Sequence, residues 1–145
     1  MPPAPQRRDP LSRFNVRVEI DGIPVAGFVE CSGLGSETEV EAYREVGDDR
    51  VRLLPGRTTY SRIILKRGIT LDRSLWDWRQ TVVEGRIDRR SGSVILLDGE
   101  RNEVARWNFV EAWPAKWVGP DLNAQSSDVA IETLEIVHEG LEWVG

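Results

Sequence analysis

The stretch that decides the fold is RFNVRVEIDG, residues 13–22, in which apolar and polar side chains alternate. The apolar side chains are Phe14, Val16, Val18 and Ile20, and the polar ones are Asn15, Arg17 and Glu19. An alternation of period two is typical of a β-strand that buries one face. This stretch therefore predicts a β fold in which the first strand presents a polar outer face.

Similar strand patterns recur along the rest of the chain. The pair Asp21-Gly22 is a tight-turn signal, so the second strand is expected to form a hairpin with the first. Six further strands are predicted, at residues 23–32, 38–44, 58–67, 91–98, 103–110 and 129–138. The expected fold is mainly β, an antiparallel β-barrel or β-sandwich-like subunit with one flanking α-helix.

The helix is predicted at residues 74–84, SLWDWRQTVVE. Helical spacing places three apolar side chains on the face that packs against the sheet: Leu75, Trp78 and Val82. Asp77 and Arg79 are expected to stay exposed. In the strand at residues 103–110, every second side chain is apolar, which predicts another buried face. The predicted core includes Trp78, Trp107 and Phe109.

The length of 145 residues fits one domain with one hydrophobic core. Residues 1–12 contain four prolines and few large apolar side chains, which predicts a flexible N-terminal arm. The domain itself is expected to span residues 13–145. No run of apolar residues approaches the length of a transmembrane helix, and the start of the chain has no apolar stretch typical of a secretory signal. Synthesis and assembly in the cytoplasm are therefore expected.

The residue inventory offers little chemistry to an enzyme. With 19 basic and 24 acidic residues, the chain also lacks the positive charge typical of a nucleic-acid binder. His138 is the only histidine, so a Ser-His nucleophile or a His-based metal site would rest on this one residue, and Cys31 is the only cysteine, so no internal disulfide can form. The glycines near residue 34 are not followed by the Gly-Lys-Ser/Thr of a phosphate loop. We expect no enzymatic activity, no catalytic residues, no metal and no cofactor.

The third predicted strand, together with the residue before it, is strongly acidic. Glu37, Glu39 and Glu41 occupy alternate positions on one face. Such a face is typical of a solvated surface. It is also typical of a surface that lines a pore or meets a basic partner, and the sequence leaves these alternatives open.

Several longer stretches, taken together, resemble one protein family. They are RFNVRVEIDG (residues 13–22), AGFVECSGL (26–34), EAYREVGDDRVRLLPGRTTY (41–60), ILKRGIT (64–70), LWDWR (75–79), VARWNFVEAWPAKWVGPDLNA (104–124) and VAIETLEIVHEGLE (129–142). In this order they resemble the tail tube proteins of contractile phage tails and of extracellular contractile injection systems. The resemblance extends from about Phe14 to Glu142, which is nearly the whole chain.

This resemblance implies a structural subunit that forms hexameric rings, which stack into a hollow inner tube inside a contractile sheath. The implied partners are further copies of the chain, a sheath protein, baseplate and tube-initiator or terminator proteins, and cargo in the lumen. The particle would be assembled in the cytoplasm and could act outside the cell. Three other readings remain: a true bacteriophage tail tube, a tube-initiator paralogue, and a monomeric β-sandwich binding module that uses exposed tryptophans.

Two sets of residues are predicted to serve such an assembly. Because a wide water-filled barrel has a polar inner wall, the lumen-facing side chains are expected to be Asn15, Arg17, Glu19, Arg62 and Lys66. Residues 45–57 read as a long loop of mixed charge, which suits contact between stacked rings because complementary charges fix register. The expected ring-stacking residues are Arg44, Glu45, Asp48, Asp49, Arg50, Val51, Arg52, Leu53 and Leu54.

Overall fold

The computed structural model describes residues 14–23, 27–125 and 129–144 of the chain. The predicted arm, residues 1–12, lies outside these ranges. The described elements are β1 (Asn15–Ile20), β2 (Phe28–Ser32), β3 (Ser36–Tyr43), β4 (Arg52–Tyr60), β5 (Ile63–Gly68), α1 (Ser74–Val83), β6 (Arg90–Leu97), β7 (Glu103–Val118), β8 (Ile131–Val137) and β9 (Gly140–Val144). The predicted mainly β fold with one helix is confirmed.

Seven of the strands form one bent antiparallel sheet, with the order β1-β6-β7-β8-β5-β2 and with β9 also paired to β7. The long strand β7 carries the bend. Its first part pairs with β6 and β9, and its last part pairs with β8. We call β1, β6, β9 and the start of β7 the first half, and β2, β5, β8 and the end of β7 the second half.

The core lies between the inner faces of these two halves. Val18 and Phe109 from the first half belong to the same buried cluster as Leu65 and Ile136 from the second half. The outer face of each half is the side turned away from this core. The described strands do not close into a complete barrel.

The predicted hairpin between the first two strands does not form. The turn at Asp21-Gly22 exists, with Gly22 at a φ of 73° and a single bridge between Ile20 and Ile23. Apart from that bridge, the described residues of the two strands have other ladder partners, because β1 pairs with β6 and β2 pairs with β5. A turn signal fixes only local backbone geometry, whereas strand partners are chosen by the burial of whole apolar faces.

The prediction of a long loop at residues 45–57 is also wrong in part, because residues 52–57 belong to the strand β4. Pro55 and Gly56 read as a turn, yet Pro55 pairs with Val40 and sits beside a register shift in the ladder. Proline is tolerated in this position because an edge strand at a bulge does not need every N–H. The single strand predicted at residues 58–67 is broken between Tyr60 and Ile63 into β4 and β5.

The helix α1 packs on the last part of β7 through Leu75 and Trp78, both buried, while Val82 is only half-buried. The indole Nε1 of Trp78 donates to the carbonyl of Asp88 at 2.8 Å. The prediction that Arg79 is exposed is wrong, because its side chain is half-buried and donates to the carbonyl of Pro114 at 3.1 Å. The helix α1 has ten residues, and no described helix is long and apolar enough to cross a membrane.

The predicted core residues differ in burial. Phe109 is fully buried and Trp78 is 2% exposed, but Trp107 is only half-buried. Trp107 shares the inner face with Phe109, yet it stacks on Trp143, whose ring is largely exposed. Near Trp107 and Trp143, the inner face of the first half extends beyond the second half of the sheet, which therefore does not cover it there.

We expect Gly92→Ala to destabilise the subunit by about 1–3 kcal/mol, because a side chain at this position overpacks the core. A Cβ atom on Gly92 would lie 2.3 Å from the carbonyl oxygen of Glu19 and 2.5 Å from Cζ of Phe109. Gly35→Ala is the matched control, since its Cβ would meet only the Ser61 hydroxyl at 3.6 Å. Urea denaturation measures both, and equal stabilities would contradict the close packing at Gly92.

Candidate assembly surface

The strands β3 and β4 form a separate two-stranded sheet that projects from the body as a hairpin. Every residue of β3 is exposed, and so is every residue of β4 except Gly56. Large apolar side chains are among them, with Val40 and Leu53 each 68% exposed. Isolated two-stranded hairpins are at best marginally stable in water. The hairpin therefore offers edges and faces that this subunit alone does not cover.

The two faces of the hairpin differ in chemistry. The pairs Val40↔Pro55 and Ala42↔Leu53 place apolar side chains together on one face, which we call the apolar face. On this face Thr38 and Thr58 also share a hydrogen bond of 2.9 Å between their hydroxyls. The opposite face, which we call the acidic face, carries Glu37, Glu39 and Glu41 together with Tyr43, Leu54 and one cation, Arg52, which is the ladder partner of Tyr43.

The tip of the hairpin, residues 44–51, holds most of the predicted ring-stacking residues. Arg44 lies 3.7 Å from Asp49, and the Arg44 guanidinium also donates to the carbonyl of Asp48. The carboxylate of Asp48 accepts from the backbone N–H of Arg50 at 2.9 Å and lies 3.9 Å from Arg52. Most charges at the tip are thus paired with each other or with Arg52. Arg52, Leu53 and Leu54 belong to β4 and not to a loop.

The root of the hairpin is a fork in the sheet, centred on His138. β5 and β8 pair with each other, but the strands that adjoin them in the chain diverge. β4, which precedes β5, leaves the body, whereas β9, which follows β8, pairs with β7. The ring of His138 lies between Tyr60 at the end of β4 and the buried Phe109, with centroid distances of 5.3 and 6.3 Å. Its Nδ1 lies 3.0 Å from the carbonyl oxygen of Gly140.

We expect the free energy of unfolding to fall as the pH is lowered from about 7 to about 5.5. Burial lowers the pKa of His138 from 6.5, against smaller opposing effects of the Gly140 and Ser61 backbone. The unfolded chain then binds a proton more readily than the folded one, so this stability is present above pH 6.5 and is lost below it. His138→Gln should flatten the profile in urea titrations, and an unchanged slope would contradict the assignment.

The predicted lumen-facing residues lie on both outer faces of the bent sheet. Arg17 and Glu19 are on the outer face of the first half, where Arg106 donates to Glu103 at 2.7 Å and to Glu19 at 3.3 Å. Arg17 completes the group at 3.7 Å from Glu19 and 3.8 Å from Glu103. Two arginines and two glutamates thus form a closed network. Asn15 is exposed on the same strand.

Arg62 and Lys66 lie on the outer face of the second half, together with Lys116. Arg62 and Lys116 both approach Glu135, at 3.5 and 3.7 Å, and Lys66 lies 3.8 Å from Glu30. We call this the cationic face, because three cations share two carboxylates. The five predicted lumen residues therefore fall into two groups, one on β1 and the other just before and within β5.

One charged pair that the sequence analysis missed is fully buried. Arg67 and Glu132 are 2% and 4% exposed, directly opposite each other on β5 and β8, and Arg67 Nε donates to Glu132. The guanidinium also lies 3.5 Å from Asp72, whose carboxylate accepts from the backbone N–H of Ser74 at the start of α1. The pair therefore ties two strands to the helix. A cross-strand arginine and glutamate could be recognised only with the β5–β8 register.

The described residues carry little reactive chemistry. Burial raises the pKa of the Cys31 thiol to about 11, so this side chain is a neutral thiol at physiological pH. Within residues 14–23, 27–125 and 129–144, no three His, Cys, Asp or Glu side chains are grouped so that they could hold a metal ion. The surface features of the hairpin and the sheet are consistent with a role in assembly.

The sequence of residues 12–142 matches the family model described as T4-like virus tail tube protein gp19. No curated protein matches the chain. Among solved structures, a chain in the cryo-EM structure of the anti-feeding prophage baseplate is 26% identical, with a TM-score of 0.79 and with 97% of this chain and 98% of that chain covered.

Two further structures come from an extracellular contractile injection system named PVC, both in the extended state. A chain of its sheath/tube terminator is 23% identical, with a TM-score of 0.79 and with 98% of this chain and 100% of that chain covered. A chain of its sheath-tube complex is 24% identical, with a TM-score of 0.77 and with 93% and 91% covered. At these identities the two likenesses show a shared fold.

Proposed function

The chain belongs to the T4-like virus tail tube protein gp19 family, and we propose that six copies of it form a ring and that such rings stack into the hollow inner tube of a contractile injection system. The observation that carries this proposal is the exposed hairpin of β3 and β4. Its free edges and apolar face would be a liability in a monomer, whereas closure into a ring removes free edges.

Within this assembly we propose that the tip of the hairpin contacts the next ring. Its residues pair their charges internally in the single subunit, and exposed ion pairs of this kind exchange partners at little cost. Val51, Leu53 and Leu54 are exposed beside these charges and supply apolar contact area. A charged rim around an apolar centre is the usual composition of a specific interface.

For the lumen, we propose the outer face of the first half of the sheet, with Asn15, Arg17 and Glu19. Its closed network of two arginines and two glutamates has no spare charge for a partner, which suits a wall that faces water. Arg62 and Lys66, on the opposite outer face, are the alternative lining. Labelling of single-cysteine variants in assembled tubes distinguishes the two, because the proposed wall should react with small reagents and not with bulky ones.

We further propose that the tube contacts a sheath protein, baseplate proteins and a tube initiator or terminator, as the names of the similar structures indicate for their own systems. Synthesis and assembly would take place in the cytoplasm before the particle acts elsewhere. The same fold serves baseplate and terminator complexes, so a short end piece is the alternative to the main tube.

Native mass spectrometry and electron microscopy of the purified chain test this proposal. We expect a species of six subunits, and tubes whose length increases with concentration. Rings that never stack would favour an end piece of the tube over its main body. Folded monomers alone, up to the highest soluble concentration, would contradict ring assembly.

A further inference from the structure

The acidic face of the hairpin carries an excess of negative charge, with three glutamates and Arg52, whose guanidinium lies 3.9 Å from Asp48 at the tip. Glu37, Glu39 and Glu41 are all exposed, and among the described residues none of the three has a cationic side chain within ion-pair distance. At the spacing of a strand, the first and last of them are about 13 Å apart. Tyr43 and Leu54, each nearly half-exposed, add apolar area to the same face.

The cationic face of the second half has the opposite pattern. Arg62, Lys66 and Lys116 keep 41–56% of their side chains exposed. Glu135, the partner that Arg62 and Lys116 share, has only 19% of its side chain exposed, so these two cations cover it, whereas Lys66 approaches Glu30. No contact between these cations and their carboxylates is shorter than 3.5 Å, which is too long for a strong charged hydrogen bond.

The two faces also match in spacing. Arg62 and Lys66 are four residues apart along an extended segment, hence about 13 Å, like the outer carboxylates of the hairpin. Between them on β5 lies the half-buried Ile64, and Val118, at 44% exposure, lies on β7 level with Lys66, with Thr133 of β8 between the two strands. By contrast, the closed network on the first outer face has no unpaired cation to offer.

We propose that the acidic face of the hairpin of one copy docks on the cationic face of the next copy in the ring. This inference rests on the proposed ring assembly and names the surface that receives the hairpin. The three glutamates approach Arg62, Lys66 and Lys116, while Tyr43 and Leu54 cover Ile64 and Val118. Complementary charge of this kind sets partner, register and direction around the ring more than it sets affinity.

A charge swap tests the proposal. The first variant is Glu37→Lys, Glu39→Lys and Glu41→Lys, and the second is Arg62→Glu, Lys66→Glu and Lys116→Glu. Each alone should raise the subunit concentration needed for half-maximal ring formation by about tenfold or more, because like charges then face each other. A one-to-one mixture should restore rings in which the two variants alternate, as native mass spectrometry would show.

Controls separate the possible failures. The variant Asp77→Lys, Glu84→Lys and Glu100→Lys makes the same change in net charge elsewhere and should assemble like the wild type. Circular dichroism checks the fold of each variant. If the variant with Arg62, Lys66 and Lys116 replaced by glutamate does not fold, replacement of the same three cations by glutamine should still weaken assembly and reduce its dependence on salt.

The outcomes also separate this inference from the proposed function. Wild-type rings together with normal rings from either charge variant would overturn the docking surface and leave ring assembly intact. Failure of the mixture to assemble, with both variants folded and each defective alone, would overturn it as well. Absence of rings from the wild type would instead count against the proposed function itself.

Discussion

Shortening the hairpin should abolish tubes and leave a folded, soluble body. Glu41 and Leu54 lie opposite each other in the ladder, so residues 42–53 can be replaced by an Asn-Gly turn without a change of register. The free energy of unfolding should change by less than about 1 kcal/mol, since the removed side chains are exposed. Electron microscopy and urea denaturation measure the two effects separately.

A variant of unchanged length is the matched control for the shortened hairpin. In it, residues 45–50 are replaced by glycine and serine, which removes every charge of the tip except that of Arg44 and keeps β3 and β4. We expect rings that no longer stack into long tubes, because the tip is proposed to contact the next ring. Normal tubes from the shortened variant would show that ring closure and stacking both depend on other surfaces.

Glu132→Ala should destabilise the subunit by about 3–5 kcal/mol, because it leaves the buried guanidinium of Arg67 without its main counterion. Arg67 would keep only Asp72, which is partly exposed. The loss should appear as a lower urea midpoint with an unchanged slope.

The double variant Arg67→Met, Glu132→Leu is the control for this pair. It removes both charges while filling most of the space, so it should recover a large part of the lost stability. If Glu132→Ala were as stable as the wild type, the pair would not be buried as the structure shows. If the double variant were no more stable than the single one, packing and not charge would dominate.

The sequence predicted what depends on local periodicity and failed where distant segments decide. The alternation in β1 correctly placed Val18 in the core and Arg17 outside, and the helical spacing in α1 correctly buried Leu75 and Trp78. Residues 52–57 were predicted as a loop because Pro55-Gly56 resembles a turn. Their strand is fixed by pairing with β3, which period-two patterning cannot show for a ribbon exposed on both faces.

The candidate surfaces were predictable only in part. The mixed charges of residues 44–54 and the acidic strand were visible in the sequence, and they do belong to one projecting hairpin. The separation of Arg17 from Arg62 onto opposite outer faces depends on the bend in β7, which no local pattern indicates. The burial of Arg67 was likewise hidden, because its partner Glu132 lies 65 residues away in the chain.

The lack of support for the hairpin within one subunit has a kinetic consequence. Ordering its backbone costs about 1–2 kcal/mol of conformational entropy per residue, and a single ladder offsets little of that. The first two subunits to meet must therefore order their hairpins with only half an interface, whereas a later subunit joins an edge that is already aligned. Such assembly has a nucleation barrier and a lag phase, followed by rapid elongation. Below the concentration at which rings form spontaneously, we expect free subunits to persist until a preformed ring seeds them, so that under those conditions the seed determines where and when growth begins.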